Sequence, residues 1–266
     1  MRLGVIGCGN MGGAMLRKLL ASEKFAPDQI IAADKNAELL KTLESQLHIC
    51  ITTNNADAAA ADVLLPAVKP QYLSGVLAEI APHLNPDALV ISIVLGYSLA
   101  KLGEEMQNEK LHIIRVMPNT PALVGEGVMA ACRGKYVTDA EWEYALSLLS
   151  CMGLAEEIPE NLIDAVTGVS GSSPAFMFLF LEALADAGVR AGLPRDTSIR
   201  FAAQTMLGSA KLALETGKHP GQLKDMVTSP AGSTIEGIAS LEKNAFRGAV
   251  IEAADAVVRR SKEFSK

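Results

Sequence analysis

The sequence predicts an α/β domain followed by an all-α domain. Up to Pro159, short runs rich in Val, Ile and Leu alternate with apolar patterns of helical period, which is typical of a parallel sheet with crossover helices. Beyond Pro159 the strand patterns stop, and Ala-rich helical patterns are separated by Gly and Pro. The motif G-x-G-x-x-G at residues 7–12 lies between a strand pattern and a helix pattern, which indicates a dinucleotide-binding, Rossmann-like first domain.

The elements follow from these patterns in chain order. Strands are predicted at 3–7, 29–34, 49–52, 63–68, 88–94, 112–116, 127–132 and 155–158. Helices of the first domain are predicted at 11–21, 36–46 and 71–84. A fourth helix is predicted to begin at its cap, Thr138, and to end at about residue 151. Helices of the second domain are predicted at 160–169, 173–191, 195–216, 219–227, 233–243 and 245–263. The predicted domains are therefore 1–159 and 160–266.

The segment 173–188 is apolar on nearly every face, and a helix of this kind is buried on all sides. A helical domain of roughly 100 residues has little interior to cover it, so we expect a second subunit as the cover. A central helix in a compact monomeric bundle is the alternative.

Composition excludes several classes of function. The chain has 266 residues, is 49% hydrophobic and has a net charge of −6, so no basic field is present for nucleic acid.

The cysteines are scattered, and no C-x-x-C pair occurs. We therefore expect no metal site and no disulfides, and this pattern fits a reducing, cytoplasmic compartment. Met1 and Arg2 lead directly into a strand pattern, so no signal peptide is predicted. The most apolar run, 175–181, has seven residues, against the roughly 20 that span a bilayer.

The glycine motif assigns a role to each of its glycines. Gly7 allows a tight turn, Gly9 allows close approach of a pyrophosphate, and Gly12 allows the helix to pack on the strand. A glycine-rich turn without a ligand is the alternative interpretation.

The residues after the second strand bear on the choice of cofactor. Asp34 lies where an acidic residue holds the ribose hydroxyls of NAD. Lys35 and Asn36 follow it directly, and Lys35 could instead neutralise the 2′-phosphate of NADP. These residues leave NAD and NADP both open.

Two further segments leave strands at the edge where ligands of such sheets bind. Residues 67–71 follow the fourth strand, and residues 117–119 follow the sixth, with apolar and amide groups that suit a nicotinamide ring. A simple β-turn is the alternative for the second segment. The complete set of expected cofactor-binding residues is Ile6, Gly7, Cys8, Gly9, Asn10, Met11, Asp34, Lys35, Asn36, Asn55, Ala67, Val68, Lys69, Pro70, Met117 and Pro118.

Near the C-terminus, residues 228–234 form a small, hydroxyl-rich segment that opens a helix. The unpaired N–H groups of a helix start suit a carboxylate or phosphate, although an ordinary N-cap explains the same residues locally.

Together these segments resemble the pyrroline-5-carboxylate reductase family. The resemblance rests on five stretches, at 5–12, 67–71, 115–121, 167–176 and 228–234. It implies reduction of L-pyrroline-5-carboxylate to L-proline, with NADP preferred and NAD still open. It also implies a nucleotide-binding domain, a helical dimerisation and substrate domain, and a homodimer, which some members assemble into larger rings. Ala231 departs from the family, which usually has glycine there.

The resemblance also implies a substrate site. The substrate carboxylate would lie on the N–H groups of Gly232, Ser233 and Thr234, with the Thr234 hydroxyl at the ring nitrogen as the catalytic group. Ser172 and Ser173 lie at a turn that the family places close to substrate. No metal is expected.

Two other functions fit a dinucleotide domain joined to helices. A β-hydroxyacid-type dehydrogenase normally has a lysine on its long interdomain helix, and residues 171–188 contain none. A non-catalytic NADP-sensing dimer would have no need for a carboxylate-binding loop.

Overall fold

The computed structural model describes residues 1–264 and contains one sheet of eight strands. The strands are β1 (Leu3–Ile6), β2 (Ile30–Ala33), β3 (Cys50–Thr52), β4 (Val63–Pro66), β5 (Leu89–Ser92), β6 (His112–Pro118), β7 (Gly127–Arg133) and β8 (Gly153–Glu157). Their order in the sheet is β3-β2-β1-β4-β5-β6-β7-β8. The order reverses between β1 and β4, and this is the crevice where doubly wound sheets bind ligands.

Helices alternate with these strands and then continue alone. The first seven are α1 (Asn10–Ala21), α2 (Ala37–Leu47), α3 (Asn55–Ala59), α4 (Pro70–Ile80), α5 (Leu99–Glu105), α6 (Asp139–Leu149) and α7 (Ile163–Val166). A π-helical turn, Thr167–Gly171, follows α7. The remaining helices are α8 (Ser173–Arg190), α9 (Arg195–Thr216), α10 (Pro220–Met226), α11 (Ser233–Lys243) and α12 (Phe246–Phe264).

The predicted fold class is confirmed: a Rossmann-like sheet precedes a helical region. The predicted parallel sheet has one exception, because β7 runs antiparallel to β6. The connection between them, residues 119–126, is too short for a crossover helix, which needs a dozen residues or more. The short helices α3 and α5 were not predicted, although each begins at a capping side chain, Asn54 and Ser98 respectively.

The core of the sheet follows the two-residue period of its strands. Leu3 and Val5 pack into the cluster on one face, with Leu16 of α1, while Ile6 packs into the cluster on the other face, with Leu73 of α4. Both faces are therefore buried, as parallel sheets require. The carboxyl ends of the strands, where the predicted cofactor residues lie, are fixed by this packing.

Two compact units are present. The first contains residues 1–171 together with the C-terminal residues from 257 onward, and the second contains Ser172–Ala256. The short helices at 160–171 thus group with the sheet, whereas the sequence pattern placed them in the second domain. The end of α12 joins the first unit through Ser261, which is buried and whose hydroxyl donates to Asp164 Oδ1 of α7 at 2.6 Å.

The second unit has little interior of its own. Helix α8 packs along α9, where the Ser198 hydroxyl donates to the Ala185 carbonyl at 2.6 Å. Several large apolar side chains nevertheless remain exposed, including Phe178 (64%), Leu179 (68%) and Leu214 (79%). An exposed apolar surface of this extent is typical of an interaction surface.

The helical run Glu160–Arg190 is, by length and composition, sufficient to cross a membrane, and 11% of its most apolar window is buried. The seven-residue apolar run 175–181 lies inside this longer helix, which continues on both sides of it, so the length of that run alone does not exclude a membrane span. The same test is also passed by helices that pack against other protein.

Candidate active site

The glycine-rich turn between β1 and α1 has the backbone that each of its glycines was predicted to provide. Gly7 adopts a φ of +93°, a conformation that favours glycine. A Cβ on Gly12 would lie 2.0 Å from the Gly7 carbonyl oxygen, so α1 can pack against β1 only with glycine there. A Cβ on Gly9 would meet nothing within 4 Å, so this side of the turn is open. The turn therefore has room for a phosphate at the start of α1.

Asp34 binds the same turn from the end of β2. Its Oδ2 accepts a hydrogen bond from the Cys8 amide at 2.7 Å, and its Oδ1 accepts one from the Asn36 amide at 2.9 Å. The Cys8 N–H is thus already bound within the protein. The carboxylate keeps further lone pairs, which a ribose hydroxyl can use.

A cavity of about 740 Å³ opens beside this turn. This volume is within the range of small-molecule and cofactor sites. It is lined by nine of the sixteen expected cofactor residues: Ile6, Gly7, Gly9, Asp34, Lys35, Asn55, Ala67, Val68 and Lys69. The structure therefore brings together residues from the ends of β1, β2 and β4, as the switch point of the sheet predicts.

The polar groups of the cavity differ in how they are held. Asn55 is 4% exposed, and its Nδ2 donates to Glu79 Oε2 at 3.0 Å. Lys35 and Lys69 are exposed, and neither forms an ion pair with another residue between 1 and 264. Two cations without an ion-pair partner among the described residues therefore line the cavity, where they can bind phosphate oxygens.

Seven expected cofactor residues do not line this cavity. They are Cys8, Asn10, Met11, Asn36, Pro70, Met117 and Pro118. Asn36 instead caps α2, since its Oδ1 accepts from the Glu38 and Leu39 amides. Cys8 is 2% exposed, and its thiol lies against the Ala33 carbonyl.

Five further residues line the cavity from α4 and were not among the expected cofactor residues, although Gln71 belongs to the segment 67–71 that was expected at the ligand edge. They are Gln71, Tyr72, Gly75, Val76 and Glu79. The spacing of Tyr72, Gly75, Val76 and Glu79 at i, i+3, i+4 and i+7 places them on one side of a helix. This spacing was the available signal, but it required knowing which side of α4 faces the ligand edge.

The end of β6 is held against the π-helical turn. Asn119 Nδ2 donates to the Ser170 carbonyl at 3.1 Å, and Asn119 Oδ1 accepts from the Val128 amide at 2.9 Å. A Cβ on Gly171 would lie 2.5 Å from the Met117 methyl carbon. Met117 and Pro118 therefore end a strand whose position is fixed from two sides. The motif at 115–121 and the part of the motif 167–176 that ends at Gly171 therefore belong to one packed arrangement within the first unit.

The buried thiols are poor nucleophiles. Burial, together with the nearby Asp34 carboxylate, raises the pKa of the Cys8 thiol to about 12. Burial is the main cause that raises the pKa of the Cys132 thiol, and the net value is about 11 even though the nearby Arg115 opposes the shift. Both thiols are protonated at neutral pH and thus unreactive. Among residues 1–264 there is also no cluster of three or more His, Cys, Asp or Glu side chains that could hold a metal ion.

In the second unit, residues 229–232 form a tight turn into α11. The Gly232 amide donates to the Ser229 carbonyl at 3.0 Å, with Pro230 and Ala231 at the two central positions. Ala231 has a φ of +56°, so the turn has the proline and the positive φ of type II. A Cβ on Gly232 would lie 2.3 Å from the Ser229 hydroxyl. Because the N-cap is Gly232, no side chain caps the helix, and the first N–H groups of α11 face outward beside the exposed Ser233 and Thr234.

The second predicted substrate segment begins a different helix. Ser172 is the N-cap of α8, Ser173 is its first residue, and Pro174 follows in the first turn, where proline is well tolerated. The Ser172 side chain does not cap the helix. The structure thus places the two groups of expected substrate residues at the starts of α8 and α11.

Comparisons with known proteins match both halves of the chain. A family model described as pyrroline-5-carboxylate reductase dimerisation matches residues 160–264. A second family model, described as NADP oxidoreductase coenzyme F420-dependent, matches residues 2–96.

Full-length relatives agree with these matches. The chain is 47% identical to pyrroline-5-carboxylate reductase of Synechocystis over 267 residues, covering 100% of this chain and 99% of the relative. It is 45% identical to that of Escherichia coli over 266 residues, covering 100% and 98%. A crystal structure of Plasmodium falciparum pyrroline carboxylate reductase with NADP bound superimposes with a TM-score of 0.90 at 34% identity, covering 100% and 98%. The chain therefore belongs to the pyrroline-5-carboxylate reductase family.

Proposed function

We propose that this protein reduces L-pyrroline-5-carboxylate to L-proline with NADPH, the last step of proline biosynthesis. The observation that supports this most strongly is similarity over the whole length at 45% and 47% identity to relatives named for that activity. The nucleotide-sized cavity and the open start of α11 fit the two ligands that the reaction needs.

The proposed cofactor contributes a hydride, and the residues of the first unit contribute its position. The open side of Gly9 and the start of α1 receive the pyrophosphate. Lys35 neutralises the 2′-phosphate, and Asp34, whose two oxygens already accept backbone N–H groups, holds the turn in place. Met117 and Pro118, fixed at the end of β6, support the nicotinamide. NADPH is the proposed reductant. NADH is a weaker alternative, which stays open because Asp34 lies where an acidic residue holds the ribose hydroxyls of NAD.

The residues of the second unit bind the other reactant. The substrate carboxylate accepts hydrogen bonds from the N–H groups of Ser233 and Thr234, aided by the positive end of the α11 dipole. The third expected donor, the Gly232 N–H, is instead bound to the Ser229 carbonyl, so Gly232 contributes the turn that opens the helix. The Thr234 hydroxyl lies near the ring nitrogen and supplies its proton or its position. Ser172 and Ser173 complete the site. No metal is needed, because orientation within attack distance provides most of the acceleration.

We further propose that two copies assemble through residues 160–266, with 1–159 as the nucleotide-binding domain. The exposed apolar side chains of α8 and α9 and the family model for dimerisation support a homodimer. In this proposal the apolar run Glu160–Arg190 packs against a second copy rather than entering a membrane. The net charge of −6 and the four unpaired cysteines favour a cytoplasmic enzyme with no nucleic-acid partner. Assembly of dimers into a ring would be a further step.

One assay tests the activity against its alternatives. Oxidation of NADPH and NADH is followed at equal protein concentration with pyrroline-5-carboxylate, then with a 2-keto and a 3-keto acid. We expect turnover with the imine alone and a higher kcat/KM with NADPH. Turnover with only a keto acid would indicate a β-hydroxyacid-type dehydrogenase. Nucleotide binding without any turnover would indicate a sensor.

A further inference from the structure

The tip of Met117 lies against a glycine of the π-helical turn that follows α7. Met117 is near the end of β6, which runs parallel to β5, so it lies at the carboxyl edge of the sheet, where the ligands of such folds bind. A Cβ on Gly171 would lie 2.5 Å from the Met117 methyl carbon, which is much closer than two carbon atoms pack. The absence of a side chain at position 171 therefore leaves the room that this methyl group occupies.

Backbone conformation does not explain Gly171. Its φ lies outside the left-handed region, so a residue with a side chain can adopt the same backbone. Besides the Met117 methyl, the nearest atoms to a Cβ at this position belong to the Thr167 side chain, at 3.6 and 3.8 Å, which is ordinary van der Waals contact. Among residues 1–264, an alanine at position 171 would thus conflict with the tip of Met117 alone.

The turn that carries Gly171 is held in place by hydrogen bonds on both sides. The Ser170 hydroxyl donates to the Val166 carbonyl at 3.1 Å. From the strand, Asn119 Nδ2 donates to the Ser170 carbonyl at 3.1 Å. The turn is therefore the fixed partner in this contact, and the methionine is the adaptable one. π-Helical turns of this kind are frequent at functional sites.

Met117 depends on such a contact to occupy one position. A methionine side chain has three rotatable bonds and adapts to the gap that it fills, so a strand end alone does not fix its tip. The space over Gly171 selects the conformers in which the methyl group lies against the turn. The side chain is only half-buried, and part of its surface stays available to a ligand at the edge of the sheet.

We propose that Gly171 is a positioning residue for hydride transfer, because it fixes the Met117 side chain that supports the nicotinamide. This inference rests on the proposed use of NADPH with Met117 beside the ring. Gly171 acts through Met117 and needs no contact with cofactor or substrate. A Cβ at position 171 would displace the Met117 tip by about 1 Å, and a misplacement of that size at a reacting centre can cost about 100-fold in rate.

A double-mutant cycle tests this coupling. The kcat and KM for pyrroline-5-carboxylate are measured at saturating NADPH for the wild type, Gly171→Ala, Met117→Leu and the double variant. We expect Gly171→Ala to lower kcat about 10- to 100-fold. Leucine ends one atom earlier than methionine and leaves room for the new Cβ, so the double variant should have the kcat of Met117→Leu alone. A general structural defect at position 171 would not be rescued in this way.

Gly103→Ala is the matched control for the cycle. Gly103 lies in α5 of the first unit, and the nearest atoms to a Cβ there would be at 3.6 to 3.8 Å. An alanine therefore fits at position 103 without displacing a neighbour. We expect this variant to keep the kcat of the wild type.

Two measurements without turnover separate positioning of the nicotinamide from cofactor binding in general. Adenosine 2′,5′-bisphosphate, which lacks the nicotinamide, should bind Gly171→Ala within about twofold of the wild type in titration calorimetry. In wild-type protein with ¹³C-methyl methionine, the Met117 methyl signal is assigned by its loss in Met117→Leu. We expect this signal to shift when NADP⁺ binds and to stay in place with adenosine 2′,5′-bisphosphate. The spectrum of the wild type needs no variant at position 171.

The outcomes separate this inference from the proposed function. If the wild type does not reduce pyrroline-5-carboxylate, the proposed function itself is wrong. This inference alone is wrong if the wild type is active but Gly171→Ala keeps its kcat, or if Met117→Leu does not rescue the loss. A Met117 methyl signal that does not move while NADP⁺ binds would also overturn it.

Discussion

Ala231 occupies the left-handed region with a φ of +56°, at the turn position where glycine is the usual residue. A Cβ in this region costs about 1–2 kcal/mol, and the extra backbone entropy of glycine offsets part of it. We therefore expect Ala231→Gly to raise the free energy of unfolding by about 0.5–1 kcal/mol, measured by urea denaturation at fixed protein concentration. Ala78→Gly, in the exposed interior of α4, is the control and should lower it by about 1 kcal/mol. Equal losses in both variants would show that position 231 is not strained.

Thr234 is the residue on which the proposed chemistry depends most. Removal of its hydroxyl in Thr234→Ala should lower kcat/KM about 10- to 1000-fold, the scale of one positioned proton transfer or charge-assisted contact. Thr234→Ser keeps the hydroxyl and should restore most of the rate. Calorimetric affinity for NADP⁺ should be the same in both variants. An unchanged kcat/KM in Thr234→Ala would remove Thr234 from the mechanism.

At the scale of elements, the end of β6 depends on one buried amide. Asn119 is 8% exposed and bridges the Ser170 carbonyl and the Val128 amide. Asn119→Asp keeps the acceptor for Val128 but replaces the donor with an oxygen that faces the Ser170 carbonyl. We expect the free energy of unfolding to fall by roughly 1–3 kcal/mol in urea denaturation.

The control for this change is Asn108→Asp. Asn108 Oδ1 only accepts, from the Lys110 amide, so aspartate serves equally well and the change should stay within about 0.5 kcal/mol. Similar effects of the two substitutions would mean that the Ser170 bond does not stabilise the strand end.

The elements also show what periodicity can predict. The helices at 195–216 and 233–243 were predicted with the bounds that the structure has, because long apolar periods and Gly or Pro boundaries define them. Helix α3 has five residues and α5 has seven, too few for a period to be recognised. The direction of β7 depends on the length of a connection, and the cavity residues of α4 depend on which side of the helix meets the sheet. Neither is a local property of the sequence.

At the scale of the whole molecule, the second unit exposes the apolar side chains that a second copy would cover. Leu179→Glu places a charge in this surface, and we expect the protein to elute as a monomer in size-exclusion chromatography with light scattering, whereas the wild type elutes as a dimer or a multiple of it. Leu154→Glu is the matched control, because Leu154 is 54% exposed on β8 of the first unit, and it should not change the mass. A wild-type monomer would contradict the proposed assembly.

The hydrogen bond between Ser261 and Asp164 has a consequence for synthesis. The first unit needs residues near the end of α12, but the whole second unit, Ser172–Ala256, is translated before them. Domains usually fold in the order in which they leave the ribosome. Here the sheet can form early, but its unit is completed only after the second unit has been made. A nascent chain that stalls before residue 261 would therefore have a Rossmann-like sheet whose final contact is missing.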